Sequence, residues 1–296
     1  MTDLSMEVII PVRNMAEHIA KCLPLLIDQC GDGDVITVVD DASSDRTGEV
    51  ARTLGVRVLP LSESLGPYRA RQLAANNSQA DVLLFIDARY RPLPGLLDSH
   101  RDAQSRPGVM LSCTNTYTLS GKSLAARVAA RQQPFSLDQL VGVDGRADFY
   151  PTANLGVKRS AFEQVGGFRA MRSGGDADLC WRIQDAFPYS FAADARVLME
   201  WEPRSSLVGL ASQVFRYGKS YAYLQWVFGE ADTPRIVSKK TWRQRVRRRK
   251  DQSTASLVLE AGASFAISRL DVVGYWWAKR QRNNFEPPRY YHSLSD

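Results

Sequence analysis

The sequence is short of cysteine, histidine and long apolar runs, and each shortage excludes a class of protein. Its 296 residues include three histidines and four cysteines, and no two of the cysteines form a CxxC pair. A zinc site or a disulfide framework is therefore not expected, and reduced thiols predict a cytoplasmic protein. No segment approaches the about 18 uncharged apolar residues of a membrane span, and the apolar run 8–12 is too short for a signal peptide. His18, His100 and His292 lie near no motif, and we expect them at the surface.

Positive charge is concentrated in one segment of the chain. The formal net charge is +6, and residues 239–250 (KKTWRQRVRRRK) contain eight Lys and Arg residues and no acid. The rest of the chain is thus slightly acidic, so no nucleic-acid partner is expected. A basic cluster contributes about 1 kcal/mol per residue at an anionic membrane surface, and the following segment 255–278 has aromatic residues suited to a membrane interface. We expect peripheral contact of 239–250 with the inner membrane face; a solvated loop is the alternative.

Strand-like and helix-like patterns alternate through the first hundred residues. Continuous apolar runs predict buried strands, and the amphipathic segments between them predict helices. The predicted strands are 8–10, 35–39, 56–59 and 82–86, followed by less regular ones at 109–112 and 154–157. Such alternation indicates right-handed βαβ units and a mostly parallel, Rossmann-like sheet flanked by helices. After residue 205 apolar residues recur at helical spacing, so we predict an α/β fold with a C-terminal helical extension.

Two of the predicted strands end in aspartates. Asp41 follows the second strand and Asp87 follows the fourth. Ligands of open α/β sheets bind beyond the carboxyl ends of the strands, so we expect both carboxylates to face a ligand. Helix capping is the alternative for both, and it is our interpretation of Asp45. Asp176 and Asp178 lie near the start of a later predicted helix, where the helix dipole favours the charged form of a carboxyl group.

Five motifs follow one another along the chain. They are VIIPVRN (8–14), VVDDASSDRT (38–47), GPYRARQLAA (66–75), LLFIDAR (83–89) and GGDADLCWR (174–182). In this order they resemble a family-2 glycosyltransferase of the GT-A fold. The resemblance implies a nucleotide-sugar-binding half at 1–100, an acceptor-binding and catalytic half of the same domain at 101–205, and a basic helical extension at 206–296. It also implies inverting transfer of one sugar from a nucleotide diphosphate sugar, with UDP favoured, to a hydroxyl group of a glycan, a lipid-linked acceptor or an envelope precursor.

The resemblance also implies roles for residues of the donor site. Pro11, Arg13 and Glu17 would line the nucleotide pocket. Asp41 would accept a hydrogen bond from the uracil N3–H, which favours uridine over cytidine. Arg71 would face the ribose or the phosphates, where a guanidinium group suits the negative charge.

The remaining site positions include two departures from the family pattern. Asp87 would hold the ribose or the metal region, but Arg89 stands where the family usually has the second acid that binds Mn²⁺ or Mg²⁺. We expect Arg89 to supply part of the charge of this divalent cation, so that activity depends on it weakly or not at all. The alternative is that Arg89 points away and another acid completes the metal site. Asp176 matches the carboxylate that deprotonates the acceptor, with Asp178 orienting the helix or serving as the next candidate base, although Gly175 replaces a common Glu.

Two other functions stay open from the sequence. A sugar-phosphate nucleotidyltransferase shares a similar fold, but it should carry a glycine-rich loop where this chain has PVRN (11–14). A non-catalytic relative that binds a nucleotide sugar or a glycan would tolerate Arg89 and Gly175. On the helix of the last motif, we expect Trp181 to pack in the core and Arg182 to form a buried ion pair. Stacking on an acceptor sugar is the alternative for Trp181.

Overall fold

The computed structural model describes residues 4–142, 148–229 and 254–291. His292 and the basic segment 239–250 lie outside these residues. The chain divides into two units, of which unit 1 comprises 1–117, 135–201 and 288–296, and unit 2 comprises 118–134 and 202–287. Unit 2 thus combines a segment from the middle of the chain with most of its C-terminal part.

The described strands and helices alternate along the first part of the chain, as expected of an α/β fold. The strands are β1 (Met6–Val12), β2 (Val35–Asp40), β3 (Arg57–Pro60), β4 (Val82–Ile86), β5 (Tyr90–Pro92), β6 (Leu111–Thr118), β7 (Asn154–Lys158) and β8 (Phe191–Trp201). The helices are α1 (Ala16–Ile27), α2 (Thr47–Thr53), α3 (Pro67–Asn76), α4 (Leu96–Ser105), α5 (Leu124–Gln132), α6 (Leu137–Leu140), α7 (Arg159–Gln164), α8 (Gly175–Ala186), α9 (Leu207–Phe228), α10 (Thr254–Ser268) and α11 (Leu270–Lys279).

Within the described residues, eight strands form one sheet in the order β3-β2-β1-β4-β7-β6-β8-β5. The first four strands of the chain pair in parallel, with Val8 of β1 opposite Ile36 of β2 and Leu84 of β4. β7 then runs antiparallel to both β4 and β6, and β5 runs antiparallel to β8. The predicted α/β class with a Rossmann-like sheet is confirmed, and its parallel half is the half formed by the continuous apolar runs.

The sheet places the ends of β1, β2 and β4 at one edge, because parallel strands share their direction. The loops after β1 and β2 are joined there by hydrogen bonds. The backbone N–H of Asp41 donates to the carbonyl of Val12 at 2.8 Å, and Asn14 Oδ1 accepts from the backbone N–H of Ser44 at 2.8 Å. The residues that follow these strands are therefore held close to one another.

His100 is buried, so the prediction that it lies at the surface is wrong. It belongs to α4 and has no exposed surface. Its Nδ1 lies 2.8 Å from Ser112 Oγ, and its Nε2 lies 3.0 Å from Asn154 Oδ1. The two polar neighbours satisfy both ring nitrogens, which is what lets an imidazole lie inside a core. Burial lowers the pKa of His100 to about 4, so the ring is neutral at pH 7.

Unit 2 contains a close crossing of α9 and α11 that depends on two glycines. A Cβ atom on Gly218 would lie 1.8 Å from a backbone oxygen of α11, and one on Gly274 would lie 2.1 Å from a backbone oxygen of α9. Only glycine fits where two backbones approach this closely. The segment 255–278 forms two helices that meet at Arg269. No helix of the described residues is long and apolar enough to cross a membrane.

Candidate active site

The loop before α3 and the first two turns of that helix contact three of the aspartates that the sequence singles out. Asp41 binds residues 64–66, just before α3 begins. Asp176 accepts from Tyr68 in the first turn, and Asp87 pairs with Arg71 in the second. Tyr68 and Arg71 are three residues apart, so they lie on the same face of the helix. The structure therefore brings all three carboxylates to one end of one helix.

Asp41 anchors the loop that leads into α3. Its carboxylate accepts from Ser64 Oγ at 2.8 Å, from the backbone N–H of Leu65 at 2.7 Å and from that of Gly66 at 3.2 Å. The side chain is buried. Two carboxylate oxygens offer about four lone-pair sites, so these three bonds leave one further position for a ligand.

Asp87 and Arg71 form an ion pair beyond the end of β4. Arg71 is buried and its Nη2 donates to Asp87 Oδ1. Its Nε is a buried donor with no hydrogen-bond partner, which is uncommon in a folded protein. Asp87 keeps 44% of its side-chain surface accessible, yet protein groups around it raise the pKa of its carboxyl group by desolvation. The nearby Arg71 and Arg89 act in the opposite direction and lower it.

Asp176 lies in the first turn of α8 and faces Tyr68. The Tyr68 hydroxyl donates to Asp176 Oδ1 at 3.2 Å, and the backbone N–H of Ala177 donates to the same oxygen at 3.2 Å. Desolvation by burial raises the pKa of Asp176, while these hydrogen bonds and the charge of Arg71 lower it. Sequence reasoning missed Tyr68, although it stands inside the motif GPYRARQLAA, three residues before Arg71.

Gly175, the departure next to Asp176, makes room for the same tyrosine. A Cβ atom at this position would lie 3.0 Å from two ring carbons of Tyr68, a separation tighter than ordinary van der Waals contact. The Tyr68 ring therefore occupies the space that the first side-chain atoms of a glutamate at position 175 would need.

Asp178 has a different environment from Asp176. It has no exposed surface, and its two oxygens face Arg182 at 2.8 Å and Arg169 at 3.3 Å. Arg182 also donates to the carbonyl of Gly167 at 2.7 Å, and both guanidinium groups lie over the ring of Tyr290. Both oxygens of Asp178 are therefore engaged by guanidinium groups in the interior.

The packing predictions for this helix are confirmed. Arg182 forms the predicted buried ion pair with Asp178, and Trp181 is buried with its ring 6.3 Å from that of Phe149. Sequence reasoning missed Arg169, which lies nine residues before Asp178, and Tyr290, which lies far along the chain after it. Nothing in the local pattern of either residue marks it as a neighbour of this cluster.

The predicted nucleotide-pocket residues of the first motif lie at the same sheet edge. Pro11 is near the end of β1 and half-buried, whereas Arg13 and Glu17 are exposed in the loop and first turn that follow. The loop itself is fixed from the second motif, since Met15 N–H donates to Thr47 Oγ1 at 2.8 Å. Arg13 and Glu17 are thus accessible side chains on a fixed backbone.

The residues around Asp87 do not fit a divalent cation. Within the described residues, no three His, Cys, Asp or Glu side chains form a group that could hold a metal ion. One oxygen of Asp87 is already engaged by Arg71, and Arg89 is close enough to influence its charge state. Hard divalent cations prefer several oxygen ligands, and here a single carboxylate is paired with Arg71 and influenced by the charge of Arg89. This donor set suits a polyanion better than a metal ion.

Comparison with known sequences gives a consistent set of relatives. The family model described as Glycosyl transferase family 2 matches residues 7–171, ending before Asp176. The glycosyltransferase AglE of Haloferax volcanii is 30% identical over 247 residues, which are 79% of this chain and 78% of that protein. The pre-mycofactocin glycosyltransferase of Mycobacterium tuberculosis is 28% identical over 78% of this chain, which spans only 50% of that relative's length.

Comparison with solved structures supports the fold. The mannosyltransferase PcManGT from Pyrobaculum calidifontis, in complex with GDP-Man and Mn²⁺, gives a TM-score of 0.56 at 15% identity over 93% of this chain and 75% of that chain. Glucosyl-3-phosphoglycerate synthase from Mycobacterium tuberculosis, in complex with Mn²⁺, UDP-glucose and phosphoglyceric acid, gives 0.55 at 19% identity over 78% of this chain and 81% of that chain. These neighbours thus contain Mn²⁺ and two different nucleotides.

Proposed function

The chain belongs to glycosyltransferase family 2 and is a glycosyltransferase, and we propose that it transfers one sugar, with inversion, from a UDP-sugar to an acceptor hydroxyl. The observation that carries this proposal is the junction of Arg71–Asp87 and Tyr68–Asp176 on one face of α3. The first pair supplies charge for a diphosphate, and the second supplies a base for a hydroxyl. Family membership favours a transferase over the nucleotidyltransferase and non-catalytic alternatives.

In this mechanism Asp176 is the general base. Its carboxylate takes the proton of the acceptor hydroxyl as the acceptor oxygen attacks C1 of the sugar. The bond between C1 and the diphosphate oxygen breaks, and the nucleoside diphosphate leaves with the bonding electrons. A raised pKa brings a carboxylate nearer to the value at which general bases work well, and Asp176 has such a shift.

The leaving diphosphate would be stabilised by Arg71 and Arg89. Preorganised charge aimed at a leaving group is among the largest contributions to catalysis. The buried Nε of Arg71 is a donor without a partner, and a phosphate oxygen would satisfy it. Because the donor set around Asp87 does not fit a metal ion, no step of the proposed reaction passes through one, although structural neighbours contain Mn²⁺.

The preference for UDP rests on Asp41 and is tested by binding. One acceptor position of Asp41 is left by its three hydrogen bonds, and the uracil N3–H is a donor, whereas cytosine N3 is not. Thermal-shift measurements with UDP, CDP and GDP should give the largest rise in melting temperature for UDP. A larger rise with GDP would overturn the uridine assignment and leave the transferase assignment intact.

Transfer itself is tested by UDP release. We expect UDP-sugars to release UDP only when a suitable hydroxyl acceptor is added, and we propose glycans, lipid-linked sugars and envelope precursors as the acceptor classes to screen. The Asp176→Asn protein is the matched control, since it should bind UDP and release none. Contact of 239–250 with an anionic membrane surface is part of the same proposal, because it would bring the enzyme to a lipid-linked acceptor.

A further inference from the structure

The helix α10 of unit 2 exposes apolar side chains to solvent and buries polar ones, the opposite of the usual arrangement. The exposed positions among residues 256–268 carry no charged or polar side chain; they are Val258, Leu259, Ala261, Gly262, Phe265 and Ala266. Val258 is 68% exposed, Leu259 58% and Phe265 61%. A helix at the surface of a water-soluble domain normally places its apolar stripe toward the core. Here the apolar stripe faces outward.

The polar residues of α10 are used inside unit 2. Glu260 is buried and accepts from Arg127 Nε of α5 at 2.6 Å. Ser264 is also buried, and its carbonyl and hydroxyl lie 3.0 and 3.2 Å from Gln132 Nε2 of the same helix. These partners fix the rotation of α10 about its axis. The outward apolar stripe is therefore part of the packed arrangement and not the result of a loosely placed helix.

The next helix extends the apolar stripe with aromatic residues and cations. Val273, Trp276 and Trp277 of α11 are exposed. Lys279 Nζ lies 5.0 Å from the centre of the Trp276 ring, and Lys219 Nζ of α9 lies 4.2 Å from the centre of the Trp277 ring. Tryptophan beside Lys or Arg is the pattern of side chains that rest at the boundary between acyl chains and headgroups.

Among the described residues of α10 and α11, cations are exposed and acids are not. Arg269 and Arg280 are exposed on these helices, whereas their two acids, Glu260 and Asp271, are buried and half-buried respectively. Two copies of this surface placed face to face would bring cations together with no carboxylate to pair them, which makes a symmetric dimer a poor occupant. A partner with fixed negative charge above an apolar layer matches both properties.

We propose that this surface, formed by Val258, Leu259, Phe265, Val273, Trp276 and Trp277, rests on an anionic lipid bilayer. The apolar side chains enter the upper part of the acyl layer, and Arg269, Lys279 and Arg280 contact lipid phosphates. The helices lie along the membrane, in agreement with the absence of a membrane-crossing helix among the described residues.

Co-sedimentation with vesicles tests this surface. The protein is mixed with vesicles of phosphatidylcholine alone or with added phosphatidylglycerol, and compared with a Leu259→Ser/Phe265→Ser variant. The matched control is Tyr189→Ser/Val197→Ser, which also removes two exposed apolar side chains but lies on unit 1. UDP binding and the melting temperature, measured for each protein, establish that the variants are folded.

We expect binding to the anionic vesicles by the parent protein and by the control, and at least tenfold weaker binding by the Leu259→Ser/Phe265→Ser variant. The proposal is overturned if the parent protein stays in the supernatant, or if that variant binds as well as the parent. It is also overturned if sedimentation velocity shows a dimer that the two serines dissociate, since the surface is then an interface between copies. None of these results depends on sugar transfer.

Discussion

The Tyr68 hydroxyl donates to Asp176 Oδ1 at 3.2 Å, and the ring of the same tyrosine lies where a side chain on Gly175 would begin. Gly175 and Asp176 are adjacent residues in the first turn of α8. Tyr68 both binds the proposed base and occupies the space beside it. The glycine that departs from the family pattern is therefore matched by a tyrosine on α3, and the two residues form one arrangement for holding Asp176.

Replacing Tyr68 with Phe should move the pH dependence of transfer. The hydroxyl lowers the pKa of Asp176 by binding its ionised form, so its loss raises that pKa. Because the base must be deprotonated, the acid limb of the kcat/KM profile should move to higher pH. We also expect kcat to fall by roughly ten- to a hundredfold, since a hydrogen bond to a charged group contributes about 1.5–3 kcal/mol.

The control for this change is Tyr189→Phe, at a fully exposed tyrosine of unit 1. It should leave the pH profile unchanged. A Tyr68→Phe enzyme with a lower rate but an unmoved acid limb would indicate that Tyr68 acts by packing alone.

Replacing Asp176 with Asn should slow transfer strongly without weakening the fold. The loss of a general base costs about 10²–10⁴ in rate, and UDP binding should remain. A carboxyl group whose pKa is raised by folding binds more protons in the folded state, so stability falls as pH rises through the folded pKa. Ionised Asp176 therefore lowers stability at pH 7, and the amide should melt at the same temperature or higher. Near-normal turnover would assign the base elsewhere.

Arg89 should make the enzyme tolerant of chelators. We expect turnover to persist in EDTA, because Arg71 and Arg89 already supply positive charge at the diphosphate. Arg89→Asp restores the second acid two residues after Asp87, and this variant should need Mn²⁺ for turnover. The control is Arg89→Gln, which removes the charge without adding a ligand and should be slow with or without Mn²⁺.

The outcome that contradicts this interpretation concerns the unmodified protein. If EDTA abolishes its turnover and Mn²⁺ restores it, another set of ligands holds the metal and Arg89 does not replace it.

The parts of the fold that sequence reasoning predicted well are those with a continuous apolar pattern. β1, β2 and β4 are such runs, because helices cover both faces of a parallel sheet. By contrast, β8 (FAADARVLMEW) contains charged residues and lies largely at the surface, so no continuous run marks it. Helix α4 was missed because several of its buried residues are polar and therefore do not form an apolar pattern. Ser99, His100 and Gln104 are buried against polar partners.

The proximity of the candidate site residues was predictable where it follows from one motif and unpredictable where it depends on distant contacts. Asp41, Asp87 and Asp176 follow from the strand ends and the helix start, and the structure connects each of them to α3 or the loop before it. The role of Tyr68 depends on a residue 108 positions away. Likewise, the outward apolar face of α10 depends on partners in α5, which no local pattern discloses.

Asp178 should matter for stability and not for the chemical step. Its carboxylate neutralises Arg182 and Arg169, and it has no exposed surface. Removing one partner of a buried ion pair costs about 3–5 kcal/mol, because the remaining charge is left without compensation. Asp178→Asn should therefore lower the free energy of unfolding, measured by urea denaturation, by about 3–5 kcal/mol, while kcat per folded molecule stays within about threefold of the parent.

The contrast between the two aspartates of α8 makes this prediction sharp. Asp176→Asn should remove activity and preserve stability, and Asp178→Asn should do the reverse, although the two positions are only two residues apart. Tyr290→Ala tests the same cluster from its other side, since the tyrosine ring covers both guanidinium groups at 5.1 and 5.6 Å. It should reduce stability by about 1–2 kcal/mol and leave the kcat of the folded enzyme unchanged. A large loss of kcat in folded Asp178→Asn would instead assign Asp178 a direct part in the reaction. A residue that only orients the helix should affect stability and leave the turnover of each folded molecule unchanged.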